Sequence, residues 1–273
     1  MKITFISYHK NWYHQMKQKF QNKSDENYSF EFICGDIRKK IKKEKGTIFV
    51  TPSNSLGSMK GGFDLIMSSH YFPGIEKRVK NIANQLNIIY TNTNRKVLPI
   101  GSSFYFNDIN IKRCGLIVSP IMYYSQSIAH TENVYISYLS SLKLIQKMND
   151  YQKRLGEKEY KRIIFTAHGC GNGNMEIEKS IEQFEKAWND KNINVEEMNI
   201  MNESIHVPHC IYPYEEEQKE EFIDENDIKT IHFTNINIVS CIESNDHYDI
   251  EVEVEVENNY QTIEGEEDSR DDL

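Results

Sequence analysis

Cysteine is scarce and unpaired in this chain. Five cysteines stand at positions 34, 114, 170, 210 and 241, and no Cys-x-x-Cys pair occurs among them. An odd number without a paired spacing argues against a disulfide framework and against a zinc ribbon, and it fits a reducing compartment. Long apolar runs are missing as well. No window approaches about 18 uninterrupted apolar residues, so no transmembrane helix is expected. The opening segment MKITFISYHKNW has no apolar stretch of secretory-signal length. A soluble protein inside the cell, cytoplasmic or nuclear, is the expectation. The phosphate-loop signature GxxxxGK[ST] is absent. No self-similarity at a period of about 20–50 residues suggests a solenoid.

What is present is enough apolar residue, 38% of 273, for one real core. That length holds one sizeable domain with an appendage, or two small domains. The load of Asn, Lys, Ile and Tyr fits AT-rich coding sequence, such as that of large DNA viruses or protists. Charge is divided unevenly. Residues 189–273 carry 25 acidic and 4 basic side chains, whereas 1–188 carry 28 basic and 16 acidic. A basic body favours an anionic partner, whether nucleotide, nucleic acid or phosphorylated ligand, and an acidic tail is also able to fold back and screen it.

Apolar pattern divides the first 189 residues into alternating strands and helices. Ile3–Ser7, Phe30–Cys34, Thr47–Thr51, Ser102–Phe106, Gly115–Ser119 and Arg162–Ala167 read as strands. Trp12, Met16 and Phe20 share one helical face within Asn11–Phe20. A helix begins at Asp64, another covers Thr131–Met148, and a last one covers Met175–Asn189. Gln146–Lys161 reads as a helix extension or an exposed connection. Such alternation predicts an α/β domain with a central sheet covered by helices on both sides. Residues 190–273 form an acidic extension with patchy periodicity and at most partial order. Thr230–Val239 and Ile250–Glu257 are candidate strands there, and Glu264–Leu273 is expected to be disordered.

Three segments carry candidate chemistry. The first is the turn Gly169-Cys170-Gly171-Asn172-Gly173-Asn174 between a strand and a helix. Glycines let a backbone approach a ligand closely, and amides at a helix N-terminus attract phosphate oxygens. A glycine-rich turn without a ligand is the bland alternative, and so is a weak dinucleotide-fold motif. The second segment is TPSNSLGSMKGGFD, residues 51–64. Gly61 and Gly62 offer another backbone cradle, Asn54 suits a ribose hydroxyl, and Asp64 either caps a helix or holds a water. The third is Gly35-Asp36-Ile37, where a carboxylate can accept from an exocyclic amine or simply end a strand.

In this order the three segments resemble the macro domain family. The likeness is to its phage- and bacterial-type branch, whose loop reads like SPANSFGxMxGGxD. Ser119-Pro120-Ile121-Met122 and Thr131-Glu132-Asn133-Val134-Tyr135 extend it, over about residues 3–188. The resemblance implies a three-layer α/β/α macro domain with a mixed central sheet over 1–189, and ADP-ribose as ligand without any cofactor or metal. It implies that Asp36 meets the adenine amine and that Ile37 lends a nearby amide. Asn54 would hold the distal ribose, Gly61, Gly62 and Phe63 would wrap the distal ribose and the diphosphate, and Gly169, Cys170, Gly171, Asn172, Gly173 and Asn174 would cradle the diphosphate. Asn54 and Asp64 are the candidates for placing a hydrolytic water. The chain departs from the family at Asn172, where a threonine or serine is usual, at Cys170, which replaces a leucine-like residue, and in having two loop glycines rather than three or four.

The functional expectation is binding of ADP-ribose or an ADP-ribosyl derivative, with hydrolysis of an ADP-ribosyl linkage as the catalytic form. The alternatives are a non-catalytic reader and a structural protein that keeps the fold without the ligand. Expected partners are ADP-ribose or an ADP-ribosylated macromolecule, and the acidic tail is a docking segment for an unknown protein. Nucleic acid stays open as a partner, and a membrane is not expected. His206, His209 and Cys210 have a spacing poorly matched to zinc. Cys170 as a thiolate nucleophile and Tyr123-Tyr124 as a base-stacking platform are weaker readings than plain packing.

Overall fold

A computed structural model describes residues 1–24, 26–90, 95–192 and 242–243. The candidate strands at 230–239 and 250–257, the terminal 264–273 segment and the His206, His209, Cys210 cluster lie outside the described residues.

Strict alternation of apolar side chains decides the architecture. In β1 (Lys2–Ser7), Ile3 and Phe5 enter one core while Ile6 enters another. The same split recurs at Ile48 and Val50 against Phe49 in β3 (Thr47–Asn54), and at Ile163 and Phe165 against Ile164 in β6 (Arg162–Phe165). Strands apolar on both faces need cover on both faces. One cover is α1 (Lys10–Phe20), α5 (Asn133–Arg154) and α6 (Ile177–Asp190). The other is α2 (Ile37–Lys40), α3 (Gly62–Ile66), a π-helical turn Met67–Tyr71, and α4 (Ile75–Leu86). The protein is therefore a three-layer α/β/α structure.

The sheet order is β2-β1-β6-β3-β5-β4-β7, where β2 is Ser29–Cys34, β4 Phe104–Asn107, β5 Gly115–Met122 and β7 the two-residue strand Ile242–Glu243. Strands β2, β1, β6, β3 and β5 run parallel, and β4 is antiparallel to β5, so the sheet is mixed. The chain leaves β1 for β2 on one side and then crosses to β3 on the other. Strand order thus reverses around β1, and β6 later fills the gap between β1 and β3.

Several boundaries differ from the sequence reading. Strand β3 continues through Pro52 to Asn54. Its pairing with β6 stops at Phe49–Ile164, so Pro52 lies beyond the stretch where both edges of β3 are paired. Strand β5 continues to Met122, and β6 ends two residues early, at Phe165. The helix opening near Asp64 starts at Gly62 and gives way to the π turn. The long helix runs on to Arg154, which makes the first part of 146–161 a helix extension. The last helix begins at Ile177, because Glu176 takes the N-cap position.

Close packing on β4–β5 gives a test of this core. A Cβ on Gly115 would sit 2.3 Å from the Tyr105 ring, and Tyr105 is buried with its hydroxyl 2.9 Å from that of Tyr160. Gly115→Ala is expected to cost about 1–3 kcal/mol by overpacking, measured by urea unfolding. Adding Tyr105→Leu makes room, so the double variant should lose less than the sum of the single losses. Additive losses would contradict the packing described.

Candidate functional site

Parallel pairing sends the ends of five strands to one edge. Tyr8 follows β1, Gly35-Asp36 follows β2, Asn54 closes β3, Tyr123 follows β5, and Gly169–Asn174 comes just after β6. This carboxyl edge, at the reversal of strand order, is where open α/β sheets bind ligands. The central position belongs to the late glycine turn, flanked by Asp36 on one side and by residues 54–64 on the other.

The glycines of that turn have different jobs. Gly169 has φ +77°, and a Cβ there would lie 2.8 Å from Val134 Cγ2. A Cβ on Gly173 would lie 2.7 Å from the Gly169 carbonyl oxygen and 2.9 Å from Ile128 Cγ1. Both are packing glycines. Gly171 is exposed and a Cβ there meets nothing within 4 Å. The turn is closed by hydrogen bonds from Met175 N to Gly169 O (3.0 Å), Asn174 N to Gly171 O (3.0 Å) and Ile128 N to Gly173 O (2.8 Å). Among the described residues no acceptor takes the amides of Gly169, Gly171, Asn172 or Gly173. Unpaired amides of this kind are open to an anion's oxygens. Helix α6 adds little to such a cradle, because Glu176 and Glu178 already put carboxylates at its N-terminus. The sequence reading gave that helix end a larger part.

The second glycine segment adjoins the first. A Cβ on Gly61 would lie 3.5 Å from Asn172 Nδ2. Gly61 and Gly62 are exposed, Gly62 has φ +53°, and no atom lies within 4 Å of a Cβ built on it. Phe63 is half-buried and packs on the core beneath. A register shift between Ser53 and Asn54 turns the end of β3. Asn54 is then committed to its own loop, with Nδ2 donating to Ser58 O (2.9 Å) and Oδ1 accepting from Ser58 N (3.2 Å).

Asp64 is buried under this loop, and Thr51 Oγ1 donates to its Oδ1 at 2.5 Å. Burial without a cation raises its pKa to about 8, against which the Thr51 bond works only in part. At neutral pH it is mostly a neutral acid. Beside the turn, His168 is fully buried and stacks on Tyr138 at 4.2 Å, and burial lowers its pKa to about 3. Burial also raises the pKa of the Cys170 thiol, which leaves it a poor nucleophile.

On the other flank, Asp36 caps α2 by accepting from Arg38 N (2.9 Å) and forms a forked pair with the Arg38 guanidinium at 2.8–3.2 Å. Its bond to the Arg38 side chain, together with a bond from Tyr8, holds its pKa well below the usual carboxylate range. Ile37 is buried, and the Tyr71 hydroxyl lies 2.8 Å from the carbonyl oxygens of both Ile37 and Ile41. The π turn thereby fixes α2. Sequence reasoning missed Arg38 and Tyr8. The available signal was position, since Tyr8 directly follows the end of a strand and Arg38 sits one step inside a helix capped by Asp36.

Tyr123 is buried and stacks on Tyr90 at 3.6 Å between ring centroids, which makes it rim packing rather than a free platform. Asn133 Nδ2 donates to Ile121 O (2.8 Å) and Gln183 joins Thr131 to Tyr135 by backbone contacts, so residues 131–135 hold the turn's supporting wall. Among the described residues no cluster of His, Cys, Asp and Glu is arranged to hold a metal, and no helix is long and apolar enough to cross a membrane.

No protein-family model and no curated protein sequence matches the chain. Solved structures similar to it include macrodomains. The macrodomain of Mycobacterium tuberculosis DarG is 14% identical, with 58% of this chain and 88% of that chain covered and a TM-score of 0.40. A mutant Oceanobacillus iheyensis macrodomain with ADPR is 17% identical, over 59% and 77%, with a TM-score of 0.43. Thermosipho africanus DarTG in complex with ADP-ribose is 10% identical, over 70% and 51%, with a TM-score of 0.36. Strand order and pairing, rather than these distant likenesses, carry the fold.

The pKa shifts of Asp64 and His168 have opposite signs and separate windows. An acid whose folded pKa is raised contributes stability that is lost as pH rises from about 4 to the folded value. Buried His168 contributes stability above its ordinary 6.5 that is lost as pH falls towards about 3. Between pH 6.5 and 8 only Asp64 of the two contributes a slope. Urea unfolding should show wild type losing stability across that window, and Asp64→Asn should flatten the loss. Equal slopes would place a charged Asp64 in the folded state.

Proposed function

We propose that the carboxyl edge binds ADP-ribose, free or attached to a macromolecule, and that residues 1–189 act as a macro domain reader. The observation that supports this most is the set of unpaired amides at Gly169, Gly171, Asn172 and Gly173, seated at the reversal of strand order and touching the Gly61–Gly62 turn. A diphosphate offers several anionic oxygens and needs several donors in a small volume. Three inter-strand spacings, about 14 Å, separate β2 from β3. That span accommodates a nucleoside near Asp36, a diphosphate over the central turn and a second ribose near Asn54, Gly61, Gly62 and Phe63. Asp36 is ionised and therefore an acceptor for the adenine amine, with Arg38 and Tyr8 holding it in place and the Ile37 amide alongside. Asn172 and Asn174 complete the turn, and Cys170 serves as packing. No cofactor is required for this reading.

A second reading is hydrolysis of an ADP-ribosyl linkage. The observation favouring it is the Asp64 pKa of about 8, which keeps both protonation states available near neutrality, as a general base requires. Against it stand the burial of Asp64 on Thr51 and the engagement of Asn54 by Ser58.

Calorimetric titration with ADP-ribose tests the binding reading. Gly171 points into open space, so Gly171→Glu should leave the unfolding midpoint unchanged while placing a carboxylate where the diphosphate would lie, which abolishes measurable binding. Asp36→Ala should weaken binding roughly ten- to hundredfold, the range for losing a charge-assisted hydrogen bond. Unchanged affinity in Gly171→Glu would refute the placement, and no binding by wild type would leave a structural role for the fold.

Turnover of mono-ADP-ribosylated protein followed by mass spectrometry separates reader from hydrolase. If Asp64 is the base, release rises as pH increases towards 8 and levels off above it. Binding without release at any pH supports the reader.

A further inference from the structure

The edge of the sheet opposite the candidate site carries a concentration of positive charge. Five cations, Lys45, Lys112, Arg113, Lys158 and Lys161, line a shallow hollow of about 490 Å³ there, together with one carboxylate, Glu157. A neighbouring hollow of about 620 Å³ continues it with further lysines. Backbone bonds from Gly46 N to Arg113 O and from Lys161 N to Gly46 O tie the three turns that present these side chains. Among the described residues, Lys112 has Glu157 at 4.0 Å and Lys2 of the second hollow has Glu31 at 3.6 Å, while no carboxylate is within ion-pair range of Lys45, Arg113, Lys158 or Lys161. The Arg113 guanidinium donates to the Lys158 carbonyl oxygen, but cations still outnumber carboxylates in the hollow, and a polyanion relieves the repulsion among them.

Strand β7 ends on the same side of the sheet as this hollow. Strand β7 pairs parallel to β4, with Tyr105 opposite Ile242 and Phe106 opposite Glu243. Strand β4 runs towards the beginning of β5, since Phe106 pairs with Leu116 and Asn107 with Gly115. Glu243, where β7 ends, therefore lies on the side of the sheet where the turn with Lys112 and Arg113 begins. Residues 244–273 hold 12 acidic side chains and one basic one.

We infer that the acidic segment 244–273 docks in cis on this basic hollow and masks it from other polyanions. The tether begins beside the hollow, which gives an effective concentration on the order of millimolar without any strong local contact. The attraction is between exposed charges, so salt weakens it. In the sequence, Glu251, Glu253, Glu255 and Glu257 alternate with apolar residues and so concentrate negative charge in a short stretch of the segment. Masking makes the segment a built-in competitor for nucleic acid or any other polyanion at this edge, and the carboxyl edge stays free.

Two measurements on the 273-residue chain test this. Carbodiimide cross-linking with mass spectrometry should join Lys112, Lys158 and Lys161 to carboxylates between Asp246 and Glu257 at roughly 0.15 M salt, and the cross-links should fade at about 1 M. Equal yield at the opposite-edge lysines Lys39 and Lys60 would overturn the docking. Fluorescence anisotropy with a short single-stranded oligonucleotide tests the masking. The quadruple variant E251Q/E253Q/E255Q/E257Q should bind at least about tenfold more tightly than wild type, as expected when a competing polyanion is weakened. Adding K112E and K158E should remove that gain. No gain in the quadruple variant, or a gain that survives the two lysine reversals, would overturn the masking.

Discussion

Everything at the carboxyl edge depends on β6 pairing with two strands at once. Arg162 is opposite Lys2 of β1 and Thr47 of β3, and Ile164 is opposite Thr4 and Phe49. Arg162 also reaches across β1 with Nε donating to Thr4 Oγ1 at 2.9 Å, and its guanidinium pairs with Glu31 of β2. A strand held on both sides and clamped at its start ends in a defined place. Its last residue, Phe165, is fully buried, so the turn that follows is delivered to the middle of the edge. Had β6 added to an outer edge instead, the glycine turn would not meet Asn172's neighbour Gly61.

The site then separates into parts that shape and parts that face outward. Gly169 and Gly173 have no room for a side chain and set the turn's form, whereas Gly171 and Gly62 leave the surface open. Asn54 fastens its own loop and Tyr71 fastens α2, so two of the polar groups nearest the edge are spent on preorganisation. Asp64, His168 and Cys170 lie just behind, and burial keeps all three largely neutral. The only fixed charge pair among the site residues is Asp36 with Arg38. An edge built mainly from backbone amides is suited to holding an anion, and much less so to nucleophilic attack.

The layers were legible in the sequence because period-two strands and period-four helices follow directly from burial: Ile3, Phe5 and Ile6 divide between faces as alternation requires, and Trp12, Met16 and Phe20 share one. The three loop segments were legible too, since glycine and asparagine clusters after strands have few uses. What escaped depended on loop paths, on which strand edges are paired and on how single turns close. Helix α4 has Ile75, Val79 and Ile82 in a buried stripe, yet it was not singled out, lying between a π turn and an irregular connection. Pro52 looked like a strand end, and only the early finish of β6 lets β3 run past it. Whether Asp64 faces water or Thr51, and whether Asn54 is free or tied to Ser58, is set by the path of a loop that no local pattern encodes. Arg38 was invisible as Asp36's partner because the pair forms through the turn of a single short helix.

The two ends of the parallel strands thus carry different chemistry: backbone donors at one, clustered lysines at the other. Ligand binding by the backbone donors is tested most directly by amide resonances. ADP-ribose added to the labelled protein should shift the backbone amides of Gly169, Gly171, Asn172 and Gly173 in a saturable way, with Ile37 and Gly62 following and the lysine-lined edge unmoved. Saturable binding that leaves those four amides in place, or no saturable shift at all, would contradict it.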